Sequence, residues 1–234
     1  MTQPSTDSPE QVVAIVLAAG GSSRMGGLDK IWVRLGEGAA IEYALRAMAA
    51  TPGVTTVVAV APPERHGALA AILKDAGVEV RCVDGGRRRQ DSVAAGIAAT
   101  PEAAWYLVHD GARPFATPLL AARVLQSARE HGAAVPGVPV PDTLKRVDND
   151  GRVLDTVDRA PLRAIQTPQA FRGVLLRDAH ARIDTEVTDD AAMVEALGAS
   201  VFVVRGDEVN RKITTQADLE WARVMVAGLP AAGR

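Results

Sequence analysis

The stretch VVAIVLAAGGSSRMGGLDK, Val12 to Lys30, decides how the chain folds. Val12 to Leu17 is an unbroken apolar run rich in β-branched residues, the pattern of a strand buried on both faces of a parallel sheet. It opens directly into a glycine- and serine-rich loop, Ala18 to Gly27. That loop leaves the strand's carboxyl end, where open α/β sheets bind ligands. Gly20, Gly21, Gly26 and Gly27 let the backbone turn tightly and approach a ligand closely. Free N–H groups in such a loop can cradle phosphate oxygens, and Arg24 and Lys30 add two fixed positive charges. The stretch therefore predicts a site for a nucleoside triphosphate, against the alternative of a glycine loop carrying two solvated cations.

Two common phosphate motifs are excluded. A Walker A loop needs Gly, four residues, then Gly-Lys-Ser/Thr. Here Gly26 lies five positions after Gly21 and is followed by Gly27 and Leu28. No GxGxxG dinucleotide fingerprint follows the first strand either.

Working outward, apolar runs recur at Val57–Ala61, Val78–Val83, Trp105–His109, Ala133–Val138 and Val201–Val204. Helical patterns lie between them at Ile41–Ala50, Glu64–Asp75, Ser92–Thr100 and Leu119–His131, then at Val174–Arg182, Asp190–Leu197 and Thr215–Ala227. This alternation predicts an α/β fold, a Rossmann-like three-layer α/β/α sandwich with a mostly parallel sheet. Residues 1–234 read as one domain, with residues 1–10 and the tail Pro230 to Arg234 expected to be disordered.

One region breaks the rhythm. Residues 136–169 show no long helical period. Thr143–Val147 and Arg152–Val157 are short strand candidates, and Asp148-Asn149-Asp150-Gly151 between them is a strong turn signal. This predicts an inserted β-hairpin arm. A lone hairpin is barely stable in water. The arm must pack on something, either its own domain or, as we expect, a second subunit.

Composition narrows the function. The chain is 47% hydrophobic, enough for a sizeable core, but only 3% aromatic. A formal net charge of −2 and few aromatics argue against a nucleic-acid platform. Cys82 is the single cysteine, which excludes an internal disulfide and a cysteine-rich metal site. The start, MTQPSTDSPEQ, lacks the basic and apolar regions of a signal peptide, and the first apolar run is far shorter than the ~18 residues of a membrane span. A cytoplasmic enzyme with no membrane partner is the expectation.

Two further elements face the predicted ligand. In Val83 to Val93, VDGGRRRQDSV, Gly85 and Gly86 end a strand, Asp91 or Ser92 can cap the next helix, and Arg87, Arg88 and Arg89 crowd the turn. In Leu107 to Phe115, LVHDGARPF, Asp110 lies just past an apolar strand at the same sheet edge as the glycine loop. A carboxylate there can hold Mg²⁺, which prefers oxygen ligands and retains substrate phosphates in its shell. Arg113 is suited to a second phosphate, whereas His109 alternates to the opposite face of the strand from Asp110.

The loop LAAGGSSRMGGLDK resembles the signature of nucleotidylyltransferases that activate sugar and polyol phosphates. With VDGG…DSV, VHDGARP, PVPDTLKR, TVDR…QTPQ, TDD and NRKIT following in order, the chain is similar from about Val12 to Leu219 to the 2-C-methyl-D-erythritol 4-phosphate cytidylyltransferase family. The resemblance implies transfer of CMP from CTP to a polyol phosphate, with Mg²⁺, in a homodimer joined by the arm. It implies that Arg24, Lys30 and Lys212 hold the phosphates and carry catalysis. Ala18, Ala19, Gly20, Gly86, Arg87, Ser92, Asp110 and Gly111 would surround the nucleotide, with Asp110 also binding the metal. Arg113 would bind the acceptor together with Thr143 and Arg159 from the other subunit's arm. The chain departs from the family pattern at Asp29, where proline usually precedes the lysine, and at Arg87, where an acidic residue is common; Asp29 is expected to point away from the phosphates. The alternatives are ribitol 5-phosphate as acceptor, a molybdopterin nucleotidylyltransferase, which the inserted arm and NRKIT argue against, and a non-catalytic nucleotide sensor.

Overall fold

A computed structural model describes residues 10–20 and 29–228 of the chain. The path begins with β1 (Val12–Leu17), the short β2 (Arg34–Leu35) and β3 (Gly38–Ala39), α1 (Ala40–Ala49) and β4 (Val54–Val60). A 3-10 turn at Pro63–Arg65 leads into α2 (His66–Ile72), β5 (Glu79–Val83), α3 (Arg89–Ala98), β6 (Trp105–Asp110), α4 (Pro118–His131) and β7 (Ala133–Pro139). The arm strands β8 (Leu144–Val147) and β9 (Val153–Val157) follow, then β10 (Arg163–Ile165) and β11 (Gln169–Arg172). The chain closes with α5 (Gly173–Arg182), α6 (Asp190–Ala196), β12 (Phe202–Arg205) and α7 (Gln216–Ala227).

β1 is the centre of an eight-stranded sheet and pairs in parallel with β4 on one side and β6 on the other. All six of its residues are buried, as its unbroken apolar run predicts. Val12, Ala14 and Val16 pack with Leu45 of α1, Leu69 of α2 and Leu120 of α4. Val13, Ile15 and Leu17 pack on the other face with Val93 of α3, Leu176 of α5 and Val194 of α6. A period of two on the strand thus builds both cores, each buried Val, Leu or Ile stabilising the fold by roughly 1.5–3 kcal/mol. The three-layer α/β/α expectation holds. α7 lies apart, packing Leu219, Ala222 and Val226 on Leu35 of β2.

α3 rests unusually close on β1. A Cβ at Gly96 would lie 2.7 Å from Ile15 Cγ2, so glycine alone admits this approach. The close seat carries the start of α3, with Arg89 and Ser92, to the carboxyl edge of the sheet.

The sheet is less uniformly parallel than the alternation suggested. β11 runs antiparallel between β6 and β7. β10 and β11 lie along one edge of β7, and β12 pairs in parallel with the other. β2 and β3 have two residues, β10 three and β11 four, too few to show a period, and none lies in one of the apolar runs, so they were not legible. α2 is also shorter than its helical pattern, because Pro63 restricts the first part of Glu64–Asp75 to a 3-10 turn.

β8 and β9 form their own two-stranded sheet, unpaired with the main one. The Asp148 carboxylate closes the turn by accepting the N–H groups of Asp150 at 3.1 Å and Arg152 at 2.9 Å. Pro136–Pro139, Arg163–Ile165 and Gln169 belong to the main sheet, so the projecting arm is shorter than the region 136–169. Val147, Val153 and Leu154 stand 51%, 54% and 53% exposed on it, an apolar surface that nothing among the described residues covers.

Glu10 is held rather than disordered: its carboxylate accepts from Trp105 Nε1 at 3.1 Å and pairs with Arg129 at 3.6 Å. The rest of the expected disorder, residues 1–9 and 230–234, lies outside the described residues. No helix among the described residues is long and apolar enough to cross a membrane.

Candidate active site

The register of β1 and β6 places Leu17 beside Asp110, and the Gly111 N–H donates to the Leu17 carbonyl at 2.9 Å. The glycine loop and the Asp110 segment therefore leave the sheet from adjacent positions. A third segment joins them. The chain leaving β5 turns at Gly85 and Gly86, and a Cβ at Gly85 would fall 2.1 Å from Ala19 Cβ. Only glycine lets these two ligand-facing loops touch. Ser92 Oγ accepts the Gly86 N–H at 3.1 Å, and Asp91 caps α3 by accepting the Arg88 N–H at 3.0 Å.

The resulting cleft is lined by Ala19, Gly20, Lys30, Gly86, Arg87, Ser92, Gly111 and Lys212, with Asp110 as its one carboxylate among the described residues. Lys212 Nζ lies 2.7 Å from Asp110 Oδ2, and Arg89 Nε lies 3.2 Å from Oδ1. Arg113 Nε stands 4.0 Å from Oδ2. Burial by itself would raise the Asp110 carboxyl, but Arg89, Lys212 and Arg113 outweigh it and hold it well below the usual carboxylate range. Asp110 is ionised throughout the physiological range.

The neighbouring cavity is reached past the same carboxylate. It is lined by Arg89, Asp110, Arg113, Thr167, Thr188 and Lys212 among others. Arg113 is fixed there by donating from Nη1 to the Asn210 carbonyl at 2.8 Å.

His109 has no chemical role open to it. Its Nε2 lies 3.1 Å from the Arg113 carbonyl and its Nδ1 3.0 Å from Thr167 Oγ1, which also accepts the Asp110 N–H. The hydroxyl's single proton then goes to Nδ1, and Nε2–H donates to the carbonyl. Burial pushes its pKa down to about 4. Between about pH 6.5 and 4 the unfolded chain binds a proton at this histidine that the folded protein refuses. Stability should therefore be whole above that window and fall as pH drops through it, by up to about 3 kcal/mol. Urea midpoints at pH 7 and pH 4, without nucleotide or divalent cation, test this. His109→Gln should lose much less between the two; equal losses would count against the assignment.

The sequence-predicted residues divide cleanly. Ala19, Gly20, Lys30, Gly86, Arg87, Ser92, Asp110, Gly111 and Lys212 meet in the cleft, and Arg113 in the adjoining cavity. Ala18 lies beneath the cleft, buried, with its N–H donated to the Val60 carbonyl. Asp29 does not line the cleft; its carboxylate accepts the Ile31 N–H at 3.1 Å. Thr143 and Arg159 are exposed at the base of the arm and line neither cavity. Arg24 lies outside the described residues.

Sequence reading passed over Arg89, the third arginine of the turn and the one whose side chain returns to the sheet edge. Its partner besides Asp110 is Asp190, at 2.7 Å. The signal was present in the segment TDD, since a carboxylate at a buried helix start requires a cation.

Comparison with known proteins shows the family of the chain. A sequence model of the 2-C-methyl-D-erythritol 4-phosphate cytidylyltransferase family matches residues 12–228. The chain is similar to the 2-C-methyl-D-erythritol 4-phosphate cytidylyltransferase of Nocardia farcinica, with 43% identity over 222 residues covering 94% of this chain and 96% of that one. It is also similar to the bifunctional enzyme IspD/IspF of an Anaeromyxobacter species, with 43% identity over 230 residues. That match covers 96% of this chain and 60% of the bifunctional protein, so the chain spans about 60% of that relative's length. Among solved structures, the 4-diphosphocytidyl-2C-methyl-D-erythritol synthase of Anaerococcus prevotii superposes with a TM-score of 0.83 at 29% identity, covering 94% of this chain and 97% of that one.

Proposed function

Because the chain belongs to the 2-C-methyl-D-erythritol 4-phosphate cytidylyltransferase family, we propose that the cleft around Asp110 is where CTP gives up CMP. The chain is a cytidylyltransferase that transfers CMP from CTP to 2-C-methyl-D-erythritol 4-phosphate, giving 4-diphosphocytidyl-2-C-methyl-D-erythritol and pyrophosphate. Ribitol 5-phosphate and a non-catalytic sensor are not favoured, since the family match names the methylerythritol phosphate reaction. The observation that carries the site is the 2.7 Å Lys212–Asp110 pair, facing a cleft shared with Lys30.

The acceptor's phosphate monoester has a second pKa of about 6, so it is largely a dianion at pH 7 and already a nucleophile. No general base is required. Its oxygen attacks the α-phosphorus of CTP in line; the new P–O bond forms as the bond to pyrophosphate breaks, and pyrophosphate leaves with the electron pair. The obstacle is repulsion between two polyanions, so catalysis is positioning plus cationic stabilisation of the charge developing in the transition state. Lys30, Lys212 and Arg24 of the glycine loop supply that charge. Ala19, Gly20, Gly86, Arg87 and Ser92 form the walls for the cytidine, and Arg113 holds the acceptor in the adjoining cavity.

A divalent cation fits here only as a companion of the nucleotide. Among the described residues no three ligating side chains converge, and Asp110 is the single carboxylate in the cleft. Mg²⁺, which takes one or two carboxylates and completes its shell with phosphate and water oxygens, suits that donor set, with Asp110 as protein ligand. When bound it would offset triphosphate charge.

The arm supports a homodimer. Its apolar residues Val147, Val153 and Leu154 are uncovered by the described residues of the single chain, and Thr143 and Arg159 at its base would reach the acceptor of a second copy. With one cysteine in the chain and no membrane-crossing helix among the described residues, the reading is a single-domain cytoplasmic enzyme.

Pyrophosphate release from CTP and Mg²⁺, with methylerythritol 4-phosphate and ribitol 5-phosphate side by side, tests the reaction. Release with methylerythritol phosphate alone is expected; turnover of ribitol phosphate alone would overturn the acceptor. Arg159→Ala should raise KM for the acceptor and leave CTP affinity unchanged. Mixing it with Lys30→Ala protein should restore activity, because one site of each mixed dimer keeps both residues. No recovery after confirmed subunit exchange would refute the shared site.

A further inference from the structure

Three residues, Arg89, Asp110 and Lys212, line both the nucleotide cleft and the adjoining cavity, and so form the partition between them. In an in-line transfer, that partition is where the attacking oxygen and the α-phosphorus meet. Lys212 and Asp110 already have roles there. Arg89 does not, yet it is held by two carboxylates. Its Nε meets Asp110 Oδ1 at 3.2 Å and its Nη1 meets Asp190 Oδ2 at 2.7 Å.

Asp190 lines neither cavity, and its side chain is 1% exposed. It is fixed from three directions. His180 Nε2 lies 3.3 Å from its second oxygen. It is the first residue of α6, whose N-cap Asp189 accepts the Ala192 N–H at 3.0 Å. The Gln169 amide ties that helix start to β11, donating to Asp189 at 2.7 Å and accepting from Ala191 at 3.3 Å. Burial would raise the Asp190 carboxyl, but Arg89 and His180 hold it low and ionised.

An arginine serving only to neutralise a buried aspartate would satisfy its own donors as well. Arg89 does not: its Nη2 is buried with no partner among the described residues. Leaving a buried guanidinium N–H unmade is costly, and such groups call for an explanation beyond stability. The strain is accepted at the point where the guanidinium divides itself between Asp190 and Asp110.

From this geometry we propose that Arg89 and Asp190 are a positioning pair for the transfer reaction. Asp190 sets the guanidinium, and the guanidinium sets the Asp110 carboxylate against Lys212 in the partition between nucleotide and acceptor. The proposal rests on the reading of Asp110 and Lys212 as the reaction centre.

The test compares Asp190→Asn, the double variant Arg89→Gln/Asp190→Asn, and Asp110→Asn as reference. The double variant replaces the buried ion pair by an amide pair and is the one that keeps the fold if a single change does not. It should melt close to the parent and bind CTP with a Kd and KM within about threefold, while kcat falls about 10- to 100-fold, the scale for residues that orient a ligating group. Asp190→Asn, remote from both cavities, should lower kcat to a similar level. The losses should not multiply, because Asp190 acts only through Arg89. A parental kcat in the folded double variant would overturn the proposal. So would equal losses of CTP affinity and melting temperature with kcat per folded molecule unchanged, the mark of a purely structural bridge. An unimpaired Asp110→Asn would instead refute the placement of the reaction centre.

Discussion

Lys212→Ala is expected to lower kcat by about 100-fold or more, the scale for losing one preorganised donor to transition-state charge. The ammonium stands at the partition between the two cavities, 2.7 Å from Asp110, where it can offset the charge of the attacking phosphate and of the α-phosphate oxygens in the transition state. Ground-state binding should change far less, since the triphosphate retains Lys30 and the glycine loop. Lys30→Ala should show a loss of the same order for the same reason. Asp110 keeps Arg89 at 3.2 Å in the Lys212 variant, so the fold has no reason to fail. Single-turnover kinetics at saturating CTP would separate the chemical step from binding. A kcat within a few-fold of the parent, in folded protein, would remove Lys212 from the catalytic group.

The second large effect is on stability. Arg89→Ala should cost about 3–5 kcal/mol, the usual penalty for stranding a buried charge. Asp190 is fully enclosed, and its remaining neighbour is the imidazole of His180 at 3.3 Å. Against a typical total stability of about 5–15 kcal/mol, that loss is a large share. Adding Asp190→Asn should recover most of it, because the stranded charge, rather than the missing side chain, is what destabilises. Urea unfolding of the parent, the single and the double variant measures both numbers. An unchanged midpoint for Arg89→Ala would mean that water reaches Asp190 and that the burial is not real.

Most of the architecture could be read from hydrophobic pattern. β1 was legible as an unbroken apolar run bounded by a glycine loop, and the helices from α1 to α7 as helical patterns. The arm was legible through turn chemistry instead, and Asp148 does close it as an Asx turn should. Where the reading failed, the elements were too short for any period, as in β10 and β11, or a proline shortened a helix, as before α2. The site divides in the same way. Gly86, Ser92, Asp110 and Lys212 were found because each follows a strand end or carries a motif. Three consecutive arginines look alike in sequence, and Arg87 was named only through the family resemblance. Which of them turns inward depends on where α3 begins and on the carboxylates waiting there.

The sequence by itself determined the layer order, the position of the ligand loops at the carboxyl edge of the sheet, and the charge type of the site. Those follow from local rules, since periodicity and glycine placement act within a few residues. Only the tertiary structure decided that Lys212, Asp110, Arg89, Asp190 and His180 form one continuous chain of contacts. Lys212 and Arg89 come from segments more than a hundred residues apart, and no local preference brings them together. The packing of α3 on β1 at Gly96 and of α6 against β11 places Arg89 and Asp190, and the Ile213 N–H donated to the Ala112 carbonyl places Lys212. It is burial, supplied by those contacts, that makes each charge in the chain depend on the next.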